Sequence, residues 1–299
     1  MSQHWARLPE RGNRLVLRLI VWITLRIGRP IARALLYPIT LYFLMTATAA
    51  RRGSRLFLRR ALGREPGWWG VFHHIHCFAA TLLDRVYFLT GRLRPFKIEI
   101  FGDPFIVNQA ASGQGCVLLG SHLGSFEVLR AVGVTLRHFP IKILMNTRHN
   151  QGITEFLNAL NPALAQAIIP IGGPDTLLRV RESVEQGCMV GVLGDRVTAG
   201  ERAVRVRFFE RETAFPASPL LLAALADCPV ILFFGLYRGG QRYEIHFERL
   251  AERIVLDRGR RQEQLTVWVQ RYADRLEHYA RLAPYNWFNF SDYWEEDAP

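Results

Sequence analysis

Between Gly115 and Glu127 the chain reads GCVLLGSHLGSFE: an apolar run, a turn, a histidine and, five positions later, a carboxylate. Imidazole and carboxylate are the groups of a general base and of the residue that orients it and steadies the imidazolium it becomes. On a continuous helix, positions five apart point about 140° away from each other, because each residue turns by about 100°. His122 and Glu127 can therefore meet only if His122 stays in the turn, and Gly124, free of Cβ constraints, permits that backbone. Run length and flanking glycines predict a strand over 115–120 and a helix from Ser125, read as its N-cap, with Glu127 in the first turn. Nine histidines and 26 acidic residues in 299 positions yield roughly 0.8 such pairs by chance. What distinguishes this pair is its place after a buried-type strand, where loops carry chemistry. The bland alternative is a histidine that caps the turn.

The elements that must hold the pair follow from periodicity. From Lys97 onward, apolar runs at 98–101, 117–120, 141–145, 168–171, 189–193, 204–209, 230–236 and 243–247 alternate with helical stretches near 125–138, 151–160, 174–186, 216–226 and 260–283. Such alternation predicts an α/β domain with a largely parallel sheet, with an antiparallel contribution where the turn Arg238-Gly239-Gly240-Gln241 separates two runs. At 299 residues and 49% hydrophobic content the chain is long enough for one sizeable domain, taken as 65–299, preceded by a distinct N-terminal segment, 1–64.

That segment carries the whole charge excess. Residues 1–64 hold thirteen arginines and one acid, Glu10, leaving 25 basic and 25 acidic residues in the remainder, against a net charge of +12. Its partner is anionic, either nucleic acid or a lipid surface. Arg11, Arg14, Arg18, Arg26, Arg29 and Arg33 fall within about 120° on a single helix, with Leu15, Leu19, Ile20, Trp22, Ile23 and Ile27 on its other faces. This is the pattern of a helix lying in a membrane interface rather than on nucleic acid. A core helix with a solvated basic face is the alternative. Residues 34–50 carry no charge over 17 positions, the lower limit for a span, and Pro38 interrupts them. Arginines on both flanks favour a membrane-seated helical pair or re-entrant segment, with a short anchor as the alternative. No cleavage site of a signal peptide is evident after the apolar run.

Cys77, Cys116, Cys188 and Cys228 lie far apart in apolar surroundings, which suits buried thiols in a reducing cytosol. His73, His74 and His76 form the one histidine cluster, and without further ligands at defined spacing no metal is expected there. Asp195 and Arg196 end an apolar run, where a carboxylate is solvated, ion-paired or catalytic.

The HxxxxE motif and its preceding strand resemble the first motif of the glycerolipid acyltransferase superfamily, and the surroundings resemble its late-acting lipid A biosynthesis branch, the lauroyl/myristoyl acyltransferase-like enzymes. Asn146-Thr147-Arg148-His149-Asn150 is similar to that family's arginine-containing segment, MVGVLGDRV (189–197) to its strand ending in an acidic motif, and 206–238 to the segment in which a Pro-Ala pair opens a helix. The resemblance runs from about Trp5 to Trp294. It implies an αβα sandwich preceded by membrane-associated helices. It also implies acyl transfer from an acyl carrier protein or coenzyme A thioester to a hydroxyl of a membrane lipid or glycolipid, such as a lipid A precursor. His122 is then the base oriented by Glu127, and Arg148, Asp195 and Arg196 are substrate-binding; no metal, cofactor or nucleic acid is implied. The place implied is the bacterial inner membrane, with the catalytic domain on its cytoplasmic side. The chain has Gly194-Asp195-Arg196 in place of two acids around one residue, and it lacks a basic pair after its last tryptophans. An acceptor other than lipid A, such as a polyene pigment lipid, therefore stays open. The rivals from other classes are a non-catalytic membrane adaptor that kept the fold and a serine hydrolase using Ser121, for which no GxSxG pattern exists.

Overall fold

The computed structural model describes residues 21–136, 139–145, 161, 167–198 and 200–294. After helical residues at 21–26 come α1 (Arg29–Thr46), α2 (Thr48–Leu62) and α3 (Gly67–Leu89). An alternating α/β region follows: β1 (Lys97–Phe101), α4 (Asp103–Ala111), β2 (Cys116–Gly120), α5 (Phe126–Leu136), β3 (Ile141–Met145), β4 (Ile168–Pro170), α6 (Thr176–Glu185) and β5 (Met189–Leu193). The chain continues through the hairpin β6 (Ala203–Phe208) and β7 (Arg211–Pro216), then α7 (Ser218–Ala226), β8 (Val230–Tyr237), β9 (Arg242–Ala251) and α8 (Arg261–Leu282). Seven strands form one sheet in the order β1-β9-β8-β2-β5-β3-β4. Every neighbouring pair is parallel except β8 with β9, the antiparallel hairpin expected around Gly239-Gly240.

β2 sits at the centre, and all five of its residues are buried, the mark of a strand covered on both faces. Val117 and Leu119 point to one side, into a core with Val180 of α6, Ala223 of α7, Val269 and Leu276 of α8, and Phe57 and Leu58 of α2. Cys116 and Leu118 point to the other, against Leu83 and Phe88 of α3, Val128 and Val132 of α5 and Ile106 of α4. Helices thus cover both faces of a largely parallel sheet, as the alternation requires.

Two elements were absent from the sequence reading. α4 follows β1 through Gly102, and β7 pairs with β6 through a two-residue turn at Phe209 and Glu210, whose φ angles are 49° and 65°. A turn with positive φ at both central positions normally uses glycine or asparagine. Here Phe209 is buried against Phe57 and Phe208, and that packing holds the conformation. The helix expected at 151–160 lies outside the described residues, as do Arg11, Arg14 and Arg18.

The arginine stripe needs correction. Helical residues end at Arg26, Ile27 lies in a turn, Gly28 takes φ 115°, and α1 starts afresh with Pro30 in its first turn, so Arg26 and Arg29 do not share one helix face. Arg29 is buried and holds Asp84 of α3 through both carboxylate oxygens, Nε to Oδ1 at 2.7 Å and NH2 to Oδ2 at 2.8 Å. Tyr243 donates to the same carboxylate at 2.9 Å, and Arg33 reaches the hydroxyl of Tyr237. These two arginines turn inward because a desolvated guanidinium needs a paired anion. α1 is consequently inverted relative to the usual surface helix. Arg29, Ala32, Leu36, Thr40 and Leu44 are buried, whereas Ile31, Leu35, Leu41, Tyr42 and Met45 stand exposed on an opposite stripe about 120° wide. Among the described residues no single helix is long and apolar enough to cross a membrane. α1 and α2 reach that length and composition together, but as a pair bent by 95°.

Asp84→Asn leaves the Arg29 guanidinium buried without its counter-ion and should cost about 3–5 kcal/mol. Urea unfolding of the variant against the parent measures the loss. Parental stability would mean that this pair does not hold α1.

Candidate active site

His122 lies in the turn after β2, as the spacing required. Two hydrogen bonds fix the turn from either side: Gly124 N–H donates to Asn286 O at 2.8 Å and Ser125 N–H to Gly235 O at 2.8 Å. Gly124 has φ +74°, and a Cβ there would lie 1.9 Å from Gly235 O, so only glycine lets the turn approach β8 this closely. Ser125 precedes α5, but among the described residues its Oγ has no hydrogen-bond partner and does not cap the helix.

The group that holds the imidazole is Asp195, at the C-terminal end of β5, the neighbour of β2. His122 Nδ1 lies 2.8 Å from Asp195 Oδ1, and the His122 backbone N–H donates to Oδ2 at 3.0 Å. Trp287 Nε1–H donates to Oδ2 as well, at 2.9 Å, and the Tyr293 hydroxyl donates to the Asp195 carbonyl at 2.6 Å. Asp195 is wholly buried. Burial alone would raise its pKa. The contacts with His122, and then Arg196 and Trp287, outweigh that and hold it at about 2, so the carboxylate is ionised at neutral pH. An ionised carboxylate only accepts, so Nδ1 carries the proton and Nε2 keeps its lone pair. The His122 side chain is 33% exposed. Burial and then Arg196 lower the His122 pKa by more than Asp195 raises it, which leaves the imidazole neutral at pH 7. A neutral imidazole backed by a buried anion, its Nε2 without a hydrogen-bond partner among the described residues, has the chemistry to accept a proton.

Glu127 does not take the position expected of it. Its Oε1 lies 2.6 Å from Nε of Arg85 on α3, and its effect on His122 is a through-space one that raises the imidazole pKa. In the first turn of α5 its side chain meets α3, while Nδ1 of His122 faces the end of β5. Asp195, read from the sequence as substrate-binding, is too deeply buried to touch a substrate and acts on His122 instead. Arg196 donates to Phe288 O at 2.7 Å and so ties the end of β5 to the C-terminal segment. Arg148 lies outside the described residues.

The sequence reading missed the C-terminal segment 285–294 as part of the site. It runs across the His122 turn: Phe288 N–H donates to His122 O at 2.9 Å, Trp287 bridges to Leu123, and Asn286 accepts from Gly124. The run of aromatics at 287–294 was visible, but nothing in it announced that Trp287 would supply a donor to Asp195. The cluster His73, His74 and His76 does not converge. His74 is buried between Ser54 and the Trp287 carbonyl, His73 approaches Cys77, and His76 approaches Thr40. Among the described residues no three His, Cys, Asp or Glu side chains are placed to hold a metal ion.

A family model described as bacterial lipid A biosynthesis acyltransferase matches residues 93–296, about two thirds of the chain. The match includes β2, the His122 turn, β5 with Asp195 and the segment through Trp294. No curated protein matches the chain.

The lowered pKa has a measurable sign. Carbethoxylation attacks neutral imidazole, so the rate at His122, followed by peptide mass spectrometry, should hold its plateau down to below pH 6.5, the ordinary histidine value. Asp195→Asn removes a contact that raises this pKa and should move the midpoint lower still. A midpoint above 6.5 would contradict the arrangement.

Proposed function

The chain belongs to the bacterial lipid A biosynthesis acyltransferase family and is an acyltransferase, and on that premise we propose that His122 is its general base, held by Asp195 and acting on a lipid hydroxyl. The observation that carries the proposal is the buried, ionised Asp195 carboxylate 2.8 Å from Nδ1, which leaves Nε2 as the open proton acceptor. The donor is an acyl thioester on acyl carrier protein or coenzyme A. Nε2 takes the proton from the acceptor hydroxyl as its oxygen bonds to the thioester carbonyl carbon. The tetrahedral intermediate then collapses with cleavage of the C–S bond, and the departing thiolate takes the proton back from Nε2. The imidazolium formed in between lies against Asp195, which stabilises it. No acyl-enzyme is needed, because the thioester is already activated and positioning supplies much of the rate. Glu127 contributes by fixing Arg85 beside the site and by favouring the imidazolium through space. The acceptor is a lipid A precursor, and a hydroxyl-bearing lipid of another kind is the alternative.

Membrane attachment belongs to the same proposal, through a face different from the one the arginine pattern suggested. Besides the exposed stripe Ile31, Leu35, Leu41, Tyr42 and Met45, Trp22 and Ile27 stand exposed before α1, and Trp68 and Trp69 at the start of α3. Exposed apolar stripes with tryptophans beside them suit a bilayer interface. Basic residues border the stripe, with Arg26 before α1 and Arg52, Arg55 and Arg59 exposed on α2, and they suit anionic headgroups. The bent α1–α2 pair would lie in the interface rather than cross it. The four cysteines are free and buried, in keeping with a reducing cytoplasm and a catalytic domain on the cytoplasmic side of the inner membrane.

Two experiments test this reading. With an acyl-carrier thioester and a lipid A precursor, His122→Ala and Asp195→Asn should each lower kcat by roughly 10²–10⁴ while Glu127→Gln loses less. Equal activity of the parent and His122→Ala would refute the base assignment. Leu35→Asp with Leu41→Asp should weaken sedimentation with anionic lipid vesicles by roughly 10²-fold, since each buried leucine contributes about 1.5–3 kcal/mol. Unchanged vesicle binding by a folded double variant would move the attachment site elsewhere.

A further inference from the structure

Beneath the base lies a chain of hydrogen bonds that reaches the N-terminal helices. His74 of α3 is completely buried; its Nε2 is 2.9 Å from the Trp287 carbonyl and its Nδ1 is 2.8 Å from Ser54 Oγ of α2. A carbonyl only accepts, so the proton of His74 is on Nε2, and Nδ1 accepts from the serine hydroxyl. Trp287 is fixed at both ends, its backbone carbonyl by His74 and its indole N–H by Asp195 Oδ2. Around the ring, Phe57, Phe208 and Tyr293 pack edge-on with centroids at 4.9, 5.3 and 4.9 Å. α2 and the C-terminal segment meet at Gly53, where a Cβ would lie 2.3 Å from Phe290 O. The indole donor therefore has little freedom to turn away from the carboxylate.

Resting on the reading of His122 as base, we propose that Trp287 is a positioning residue of the acyl transfer, that its indole N–H sets how Asp195 is shared between the imidazole and the rest of the site, and that Ser54 and His74 fix where Trp287 stands. Trp287 is wholly buried, so it touches no substrate. Its effect passes through Asp195. A carboxylate that gives one lone pair to an indole N–H has less negative charge for the imidazolium; without that donor, Asp195 stabilises the protonated base more strongly. Oδ2 keeps the His122 backbone N–H in either case, so the carboxylate stays in place. The other charged and titratable groups facing the pair are Arg196 beside Asp195, Glu127 from α5, Tyr272 from α8 and Tyr293 from the C-terminal segment, and none of them is altered by changing Trp287 or His74. His74 itself, held at about 4 by burial, stays neutral across the working range, and so its own titration does not intrude.

The test is the pH dependence of kcat/KM for acyl transfer in the full-length protein. Trp287→Phe keeps most of the aromatic packing and removes only the donor. Its KM should be unchanged, because the buried indole touches no substrate. Its acid limb should move to higher pH. His74→Leu, which frees the Trp287 carbonyl, should shift the limb the same way, and His74→Gln, which keeps an N–H donor there, should recover part of the shift. A packing role alone would lower the melting temperature and kcat at every pH with the limb unmoved, and that result, in either Trp287→Phe or His74→Leu, overturns the proposal. His122→Ala in the same assay separates the levels. If it is inactive while the Trp287 and His74 variants behave as the parent, only this inference fails; if it retains parental turnover, the base assignment fails and this inference with it.

Discussion

Everything at this site depends on keeping one carboxylate ionised in the interior. Asp195 has no exposed surface, and an unpaired charge in such a place would be neutralised rather than tolerated. It persists because its oxygens meet three donors, the His122 ring N–H, the His122 backbone N–H and the Trp287 indole, with the Arg196 guanidinium nearby. These donors come from two parts of the fold, the turn after β2 and the C-terminal segment. β2 must end beside β5 for His122 to face Asp195, Gly124 must take a left-handed backbone for the turn to close, and the C-terminal segment must lie across that turn to bring the indole within reach. The His122–Asp195 pair is a product of strand order as much as of sequence motif.

A second buried carboxylate does similar work for the N-terminal helices. Asp84 draws Arg29 inward, and with Arg29 goes the whole face of α1 that packs on α3, which leaves the apolar stripe outward. The helix is thus oriented by an ion pair together with Ala32, Leu36 and Leu44, and the exposed stripe is made of the hydrophobic residues not used in packing. α2 then turns back, contributes Phe57 and Leu58 to the core under the sheet, and places Ser54 against His74. The segment expected to stand apart as 1–64 is, over its described part, packed into the same body as the strands around His122.

How much of this was legible follows from the range of each signal. The strands at 117–120, 141–145, 189–193 and 230–236 were plain because buried parallel strands are continuous apolar runs, and the structure places them within about a residue of where they were read. His122 in a turn permitted by Gly124 was also legible, because both facts are local. The partner of His122 was not. Glu127 is five residues away and Asp195 is 73, and nothing in local spacing weighs a neighbour in the sheet against a neighbour in the chain. The arginine pattern failed for a related reason, since Arg29 and Arg33 look alike with Arg26 until Gly28 breaks the helix and Asp84 supplies a buried anion. The β6–β7 turn hid because packing around Phe209, rather than glycine, supports its positive φ.

The protonation pattern of the His122 ring tests the central claim most directly. Two-bond ¹⁵N–¹H correlation spectra of ¹⁵N-histidine-labelled protein at pH 7.5, with His122 assigned from a His122→Gln variant, distinguish the two neutral tautomers. The account predicts the Nδ1–H tautomer at His122, with an unprotonated Nε2, and a shift away from it in Asp195→Asn. An Nε2–H tautomer in the parent protein, unchanged by Asp195→Asn, would contradict it.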